Sequence, residues 1–200
     1  MKKICLLIWA LIISVSVSAA ASNPAIEFVD GVANEIITDV LTSKASQEEK
    51  LAIFRDSFTK ALDLKAVGQF VLGVYWRKAS EEDRQAFLDA FTDFTTKTWA
   101  DRFNMYSGQS ILFTGVRNAE RNQFYVDSQI QDKEPVEVIW RLRQKGDSYK
   151  IIDIIIEGVS MAMSYRNEYS AVLQQNGGNV RALADELQKK SDAFVFGAKK

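Results

Sequence analysis

Few side chains in this sequence are suited to catalysis or metal binding. Histidine is absent from all 200 residues, and the one cysteine is Cys5. Without histidine, the chain lacks the base of Ser-His-Asp and Cys-His mechanisms and a principal ligand of zinc sites. Ser160 has no evident lysine partner and is better placed to cap a helix than to act as a nucleophile. We therefore expect a binding protein rather than an enzyme, with no catalytic residues, no metal site and no cofactor.

The first 21 residues have the three parts of a secretory signal peptide. Lys2 and Lys3 precede an apolar run over residues 4–17, and small residues occupy 18–21. The run is shorter than the roughly 20 apolar residues that span a bilayer. We predict that residues 1–21 are a cleaved signal peptide, the alternative being an uncleaved membrane anchor. Because Cys5 lies in this segment, the exported protein would contain no disulfide.

Residues 22–200 have the composition of a single globular domain. The sequence is 47% hydrophobic, 11% aromatic and 26% charged, enough for one substantial core. Acidic residues number 26 and basic residues 25, and loss of Lys2 and Lys3 makes the remainder mildly acidic. Nucleic-acid binding normally needs a basic patch or stripe, and none is present.

The hydrophobic period indicates helices, then strands, then helices again. Asn23 before Pro24 predicts the start of the first helix, and Ser46 with Glu49 forms a capping-box pattern for the second. The predicted helices are about 24–40, 46–62, 64–72, 80–107, 160–175 and 179–196. Aromatic residues of the long helix 80–107 fall into two sets on different faces. Either that helix bends, or it is buried on two sides.

Between residues 111 and 157 the apolar residues alternate with polar ones, which predicts strands with one covered face. Ile152, Ile154 and Ile156 are expected on one face of the last strand, with Ile151 and Ile155 on the other. The predicted fold class is α+β. It is a curved four-stranded antiparallel sheet wrapped by helices before and after it, with an apolar pocket between sheet and helices.

Three stretches resemble one protein family. The first is Phe70–Arg77, followed by Ser80 and a helix. The second is Met105–Gln109, and the third runs from Asp153 through Glu157-Gly158-Val159-Ser160-Met161 to Tyr169. Together they resemble the MlaC family of periplasmic phospholipid-binding proteins, over essentially the whole chain after the signal peptide.

The resemblance implies a soluble periplasmic carrier, active as a monomer, with a bound phospholipid as cargo. Such a carrier shuttles glycerophospholipid between an outer-membrane lipoprotein–porin complex and the MCE-domain subunit of an inner-membrane ABC transporter, and so maintains outer-membrane lipid asymmetry. Alternative cargoes are a hopanoid-type lipid or an acylated polypeptide. An enzyme of the same fold would instead need a polar pocket that holds a carboxylate such as Asp153.

The residues expected to contact the lipid fall into two groups. The pocket wall is predicted to consist of Phe70, Val71, Tyr75, Phe91, Phe94, Val138, Trp140, Ile152, Ile154 and Met161. The head-group rim is predicted to consist of Lys150, Tyr165 and Arg166. Ordinary core packing is the alternative for the wall residues, and an ion pair with Asp153 or Glu157 is the alternative for Arg166. Expected docking contacts are Arg77, Lys78, Arg141 and Arg143.

Overall fold

The computed structural model describes residues 23–103 and 108–195. The predicted signal peptide, Cys5, the Met105–Ser107 part of the second motif and the predicted helix end at Phe196 lie outside these ranges.

Five helices precede the sheet. They are α1 (Pro24–Glu35), α2 (Gln47–Ala61), α3 (Leu64–Leu72), α4 (Val74–Lys78) and α5 (Glu81–Phe103), and a π-helical segment (Ile36–Leu41) continues α1. The predicted N-caps are confirmed. Asn23 Oδ1 accepts a hydrogen bond from the Ala25 amide at 3.0 Å, and Ser46 and Glu49 bond reciprocally as a capping box. The short α4 was not predicted; it starts after Gly73, whose backbone (φ 55°, ψ −118°) ends α3.

The strands form one antiparallel sheet in chain order. They are β1 (Ser110–Ala119), β2 (Gln123–Gln131), β3 (Val136–Lys145), β4 (Ser148–Ile156) and β5 (Val159–Ser160). The predicted antiparallel sheet is confirmed, and it is an open meander with one more strand than expected. Strand β5 has only two residues, and it forms because Glu157 (φ 48°) and Gly158 (φ 77°) reverse the chain, so that Ile156 pairs with Val159.

A β-bulge in β4 changes which isoleucines share a face. Arg141 pairs with Asp153, but Leu142 pairs with Ile151, so Ile152 is the extra residue. The expectation that Ile152 shares a face with Ile154 and Ile156 is therefore wrong. Ile151, opposite Leu142, takes that place, and both side chains are buried.

Two helices follow the sheet, α6 (Met161–Gln175) and α7 (Val180–Asp192). Ser160 caps α6, as predicted, by accepting a hydrogen bond from the Met163 amide at 3.1 Å. Helix α7 ends at Asp192, earlier than expected, and Arg181 on it binds Asp83 of α5 at 2.8 Å.

Helix α5 is buried on two sides, which accounts for its two aromatic sets. Phe91 packs edge-on against Tyr165 of α6, with ring centroids 5.8 Å apart. Near the other end of α5, Trp99 lies 6.5 Å from Phe58 of α2. Helix α1 contacts β1 and β2, whereas α2, α3 and α6 contact β4. Space remains between α1, the C-terminal part of α5 and the sheet.

Candidate functional site

A cavity of about 440 Å³ lies between α1, the C-terminal part of α5 and the sheet. Its apolar lining residues come from both helices and from four strands. They are Ala33, Ile37, Trp99, Phe103, Ile111, Ile130, Val136, Val138, Trp140, Ile154 and Ile156. The volume falls within the range of about 300–1,000 Å³ that is usual for small-molecule sites.

The inner sheet face keeps this wall apolar by satisfying its few polar groups internally. The Trp140 indole N–H donates to Ser128 Oγ at 3.0 Å, and the Ser128 hydroxyl donates to the Val138 carbonyl at 2.8 Å. All three residues are buried. Because a buried polar group without a partner would favour water, this chain of hydrogen bonds leaves the strands suited to an apolar ligand.

Polar side chains line the cavity at one end, which opens to the surface. They are Arg102, Gln109, Asp132 and Glu134. Arg102, Asp132 and Glu134 are exposed, and the Arg102 guanidinium lies 5.5 Å from the centroid of the Trp99 ring. Gln109 donates to Asp132 Oδ2 at 3.0 Å, and this bond lowers the pKa of the Asp132 carboxyl, so it is ionised at neutral pH.

A second cavity, of about 30 Å³, adjoins the first. It lies among α3, α5, β4 and α6, and Trp99 and Ile154 line both cavities. Burial raises the pKa of the Tyr165 hydroxyl at its edge, and the Trp99 indole and the Thr95 hydroxyl act in the opposite direction.

The predicted wall residues lie in three places. Val138, Trp140 and Ile154 line the large cavity. Phe91, Ile152 and Met161 line the small cavity. Phe70, Val71, Tyr75 and Phe94 line neither cavity, and the Phe70 side chain is 40% exposed.

The predicted rim residues do not meet at the large cavity. Lys150 Nζ donates to the Lys60 carbonyl, and Tyr165 lines the small cavity. The Arg166 guanidinium donates to the Phe70 carbonyl at 3.1 Å and lies 4.9 Å from the centroid of the Phe70 ring. The alternative ion pair of Arg166 with Asp153 or Glu157 is therefore not what the structure shows.

The carboxylate considered for an enzyme has a structural role. Asp153 Oδ2 accepts from the Ser160 hydroxyl at 2.5 Å, and Asp153 Oδ1 accepts from the Ala162 amide at 3.0 Å. Both bonds hold the turn from β4 into α6. The carboxylate borders the small apolar cavity, not a polar pocket.

Sequence reasoning missed the helical side of the large cavity and its polar end. Ala33 and Ile37 face the cavity from α1 and its π-helical continuation, and Phe103 faces it from α5. Ala33 and Ile37 both lie in the helix predicted over 24–40, and an apolar position on a helix predicts burial without showing which surface covers it. Arg102 follows the aromatic Trp99 by three residues, and this spacing is a signal that could have identified it.

An apolar cavity between an open antiparallel sheet and helices, with charged groups only where it reaches the surface, defines a binding protein for an apolar ligand. Over residues 23–103 and 108–195, no helix has the length and apolar character needed to cross a bilayer. In the same ranges, no group of three or more acidic residues is arranged to hold a metal ion.

Comparison with known proteins identifies the family. The family described as MlaC protein matches residues 29–189. The intermembrane phospholipid transport system binding protein MlaC of Haemophilus influenzae is 24% identical over 190 residues, covering 90% of this chain and 88% of the relative. The toluene tolerance protein ttg2D of Pseudomonas putida is 21% identical over 177 residues, covering 84% of this chain and 81% of the relative.

A solved structure has the same fold. The phospholipid-binding protein of Ralstonia solanacearum, in complex with a phospholipid, superposes with a TM-score of 0.76 at 20% identity, covering 86% of this chain and 98% of that protein. The chain belongs to the MlaC family. This is a family of lipid-binding transport proteins, not of enzymes.

Proposed function

We propose that this protein is a periplasmic carrier that binds a phospholipid in the large cavity and shuttles it between the outer membrane and an inner-membrane ABC transporter complex. The observation that carries the proposal is the cavity of about 440 Å³, whose interior walls are apolar and whose charged residues lie at the exposed end. The phospholipid named for the solved relative supports the same class of cargo.

The physical need for a carrier follows from the lipid's acyl chains. A two-chain phospholipid has about 30 methylenes, each worth roughly 0.8 kcal/mol when removed from water. Transfer through water without a carrier is therefore strongly disfavoured. Walls built from β3 and β4 on one side and from α1 and α5 on the other replace water with apolar contacts along the chains. Val138, Trp140 and Ile154 are the predicted wall residues best placed for this contact.

The head group would remain at the exposed end of the cavity. Arg102 offers a guanidinium for a phosphate there, and because the two carboxylates of Asp132 and Glu134 outnumber it, the attraction for a phosphate stays weak. A modest attraction of this kind suits a carrier, because a tightly held head group would slow release. This assignment replaces Lys150, Tyr165 and Arg166 as the head-group contacts we favour.

The sequence and the family support a proposed cellular setting. The signal-peptide pattern of residues 1–21 supports export to the periplasm. There we propose that the monomer docks alternately with an outer-membrane lipoprotein–porin complex and with the MCE-domain subunit of an ABC transporter, and so maintains lipid asymmetry. Such docking must be transient, which favours a modest polar interface. Arg77, Lys78, Arg141 and Arg143 stay predictions for that interface.

Extraction of lipid from vesicles tests the proposal. The protein is mixed with phosphatidylethanolamine vesicles that contain a fluorescent phospholipid, the vesicles are pelleted, and the lipid in the supernatant is measured. We expect about one phospholipid per protein in solution. A folded protein that leaves all the lipid in the pellet would contradict the proposal, and preferential uptake of an acylated peptide in competition would favour the polypeptide cargo instead.

A further inference from the structure

The two cavities are separated by a thin partition. Trp99 and Ile154 line both of them, so each side chain has free volume on two sides. Ile154 is fixed within β4, where it pairs with Trp140 of β3. Trp99 is carried by α5 and reaches the boundary through a long, rotatable side chain. Of the two, Trp99 is the one that can move without disturbing the sheet.

Of the two cavities that Trp99 borders, only the large one has room for such a movement. Its ring lies 6.5 Å from Phe58 and 6.3 Å from Phe103, both in tilted contacts. The other side faces about 440 Å³ of free volume. A turn of the indole into this volume would give up its interaction with the Tyr165 hydroxyl and move the ring relative to the Arg102 guanidinium, whereas a turn toward Phe58 would meet a buried ring.

The small cavity has the size and lining of an acyl-chain terminus. Most of its wall is apolar, from Leu62, Leu64, Val67, Phe91, Ile152 and Met161. Its volume of about 30 Å³ exceeds the roughly 10–15 Å³ that one water-sized group needs. The Asp153 carboxylate at its edge is already engaged by Ser160 and Ala162, whereas the buried Thr95 Oγ1 on the same wall has no hydrogen-bond partner among the described residues.

We propose that the small cavity is the terminal part of the acyl-chain site and that Trp99 sets the chain length the protein accepts. With the indole in the position seen here, the acyl chain ends at Trp99. A longer chain enters the small cavity only when the indole turns away. This inference rests on the proposed function, since it assigns acyl chains to the large cavity.

The test compares the chain lengths that the wild-type protein and two variants extract. Vesicles contain equal amounts of phosphatidylcholine with myristoyl, palmitoyl and stearoyl chains, and native mass spectrometry identifies the bound lipid. Trp99→Phe shortens the partition while retaining an aromatic ring. Trp76→Phe is the matched control, because Trp76 lies on α4 and lines neither cavity.

We expect Trp99→Phe to raise the stearoyl-to-palmitoyl ratio at least about fourfold, the equivalent of one additional buried methylene at about 0.8 kcal/mol. Trp76→Phe should leave the ratio unchanged. A folded Trp99→Phe variant with the wild-type ratio would overturn the inference and leave the proposed function standing. Failure of the wild-type protein to extract any of the three lipids would instead contradict the proposed function.

Discussion

A bulky side chain placed inside the large cavity should abolish lipid uptake without unfolding the protein. Ala33 is suited to this test because its side chain is only 6% exposed and lines the cavity from α1. Ala33→Trp directs an indole into space that we assign to the acyl chains. The matched control is Asn34→Trp, which adds the same ring on the adjacent, exposed position of the same helix.

The size of the effect follows from the surface that the new ring removes from the lipid. An aromatic side chain covers about 150 Å² or more, and at about 25 cal/mol per Å² this removes about 4 kcal/mol of binding free energy. At 1.4 kcal/mol for each factor of ten, the affinity should fall about a thousandfold. Overpacking a filled core costs about 1–3 kcal/mol, but here the ring enters free volume, so the loss of folding stability should be smaller.

The assay is vesicle extraction of a fluorescent phospholipid, with circular dichroism to follow thermal unfolding. We expect Ala33→Trp to leave the lipid in the vesicles while its Tm stays within a few degrees of that of the Asn34→Trp variant. An Ala33→Trp protein that is folded and extracts lipid as well as the wild type would refute the assignment of the cavity.

Two further predictions concern the stability of the fold. Burial acts to raise the pKa of Asp93, but hydrogen bonds from Ser191, Lys97 and Arg55 outweigh it and lower the pKa from 3.8 to about 2. Asp93 therefore stabilises the protein above pH 3.8, and this contribution disappears as the pH falls toward 2. The Arg55 side chain is 39% exposed, so solvent screens its ion pair with Asp93. We therefore expect Asp93→Asn to lower the free energy of unfolding by about 1–2 kcal/mol at pH 7. Urea unfolding measures this, and a difference that does not shrink between pH 5 and pH 2 would contradict the reasoning. Gly73→Ala should cost about 1–3 kcal/mol, because φ 55° with ψ −118° is strained for any side chain. Gly31 lies in a helix with open space around a new Cβ, so Gly31→Ala should instead stabilise the fold by about 0.5–1 kcal/mol. Thermal unfolding measures both variants. If the two substitutions change the Tm equally, backbone strain does not explain the loss of stability in Gly73→Ala.

The sequence predicted well the elements that depend on residues close together in the chain. The Ser46–Glu49 capping box and the Ser160 cap depend on side chains three residues from the amides they meet, so local spacing was sufficient. The order of helices and strands followed from the change in hydrophobic period. The bulge at Ile152 could not be predicted, because every position from 150 to 156 except Lys150 and Asp153 is isoleucine and either face would accept them.

The sequence predicted the part of the candidate site that lies on the sheet, but not the part that lies on the helices. Period two places Val138 and Trp140 on one face of β3, and that face does line the cavity. An apolar stripe on a helix predicts that the stripe is buried, but it does not show which surface covers it. Phe91 therefore packs against Tyr165, while Ala33 and Ile37 reach the large cavity. The polar end brings Arg102 of α5 near Asp132 and Glu134, which follow β2, and that juxtaposition is a long-range property of the fold.

We propose that the large cavity holds the acyl chains of a phospholipid in the cell. Native mass spectrometry of the protein, exported with its own residues 1–21 and purified from the periplasm without detergent, tests it most directly. We expect a chain that begins near residue 22 and carries one phospholipid, which is released on denaturation. A folded protein isolated in this way with an empty cavity, and still empty after incubation with phospholipid vesicles, would contradict it.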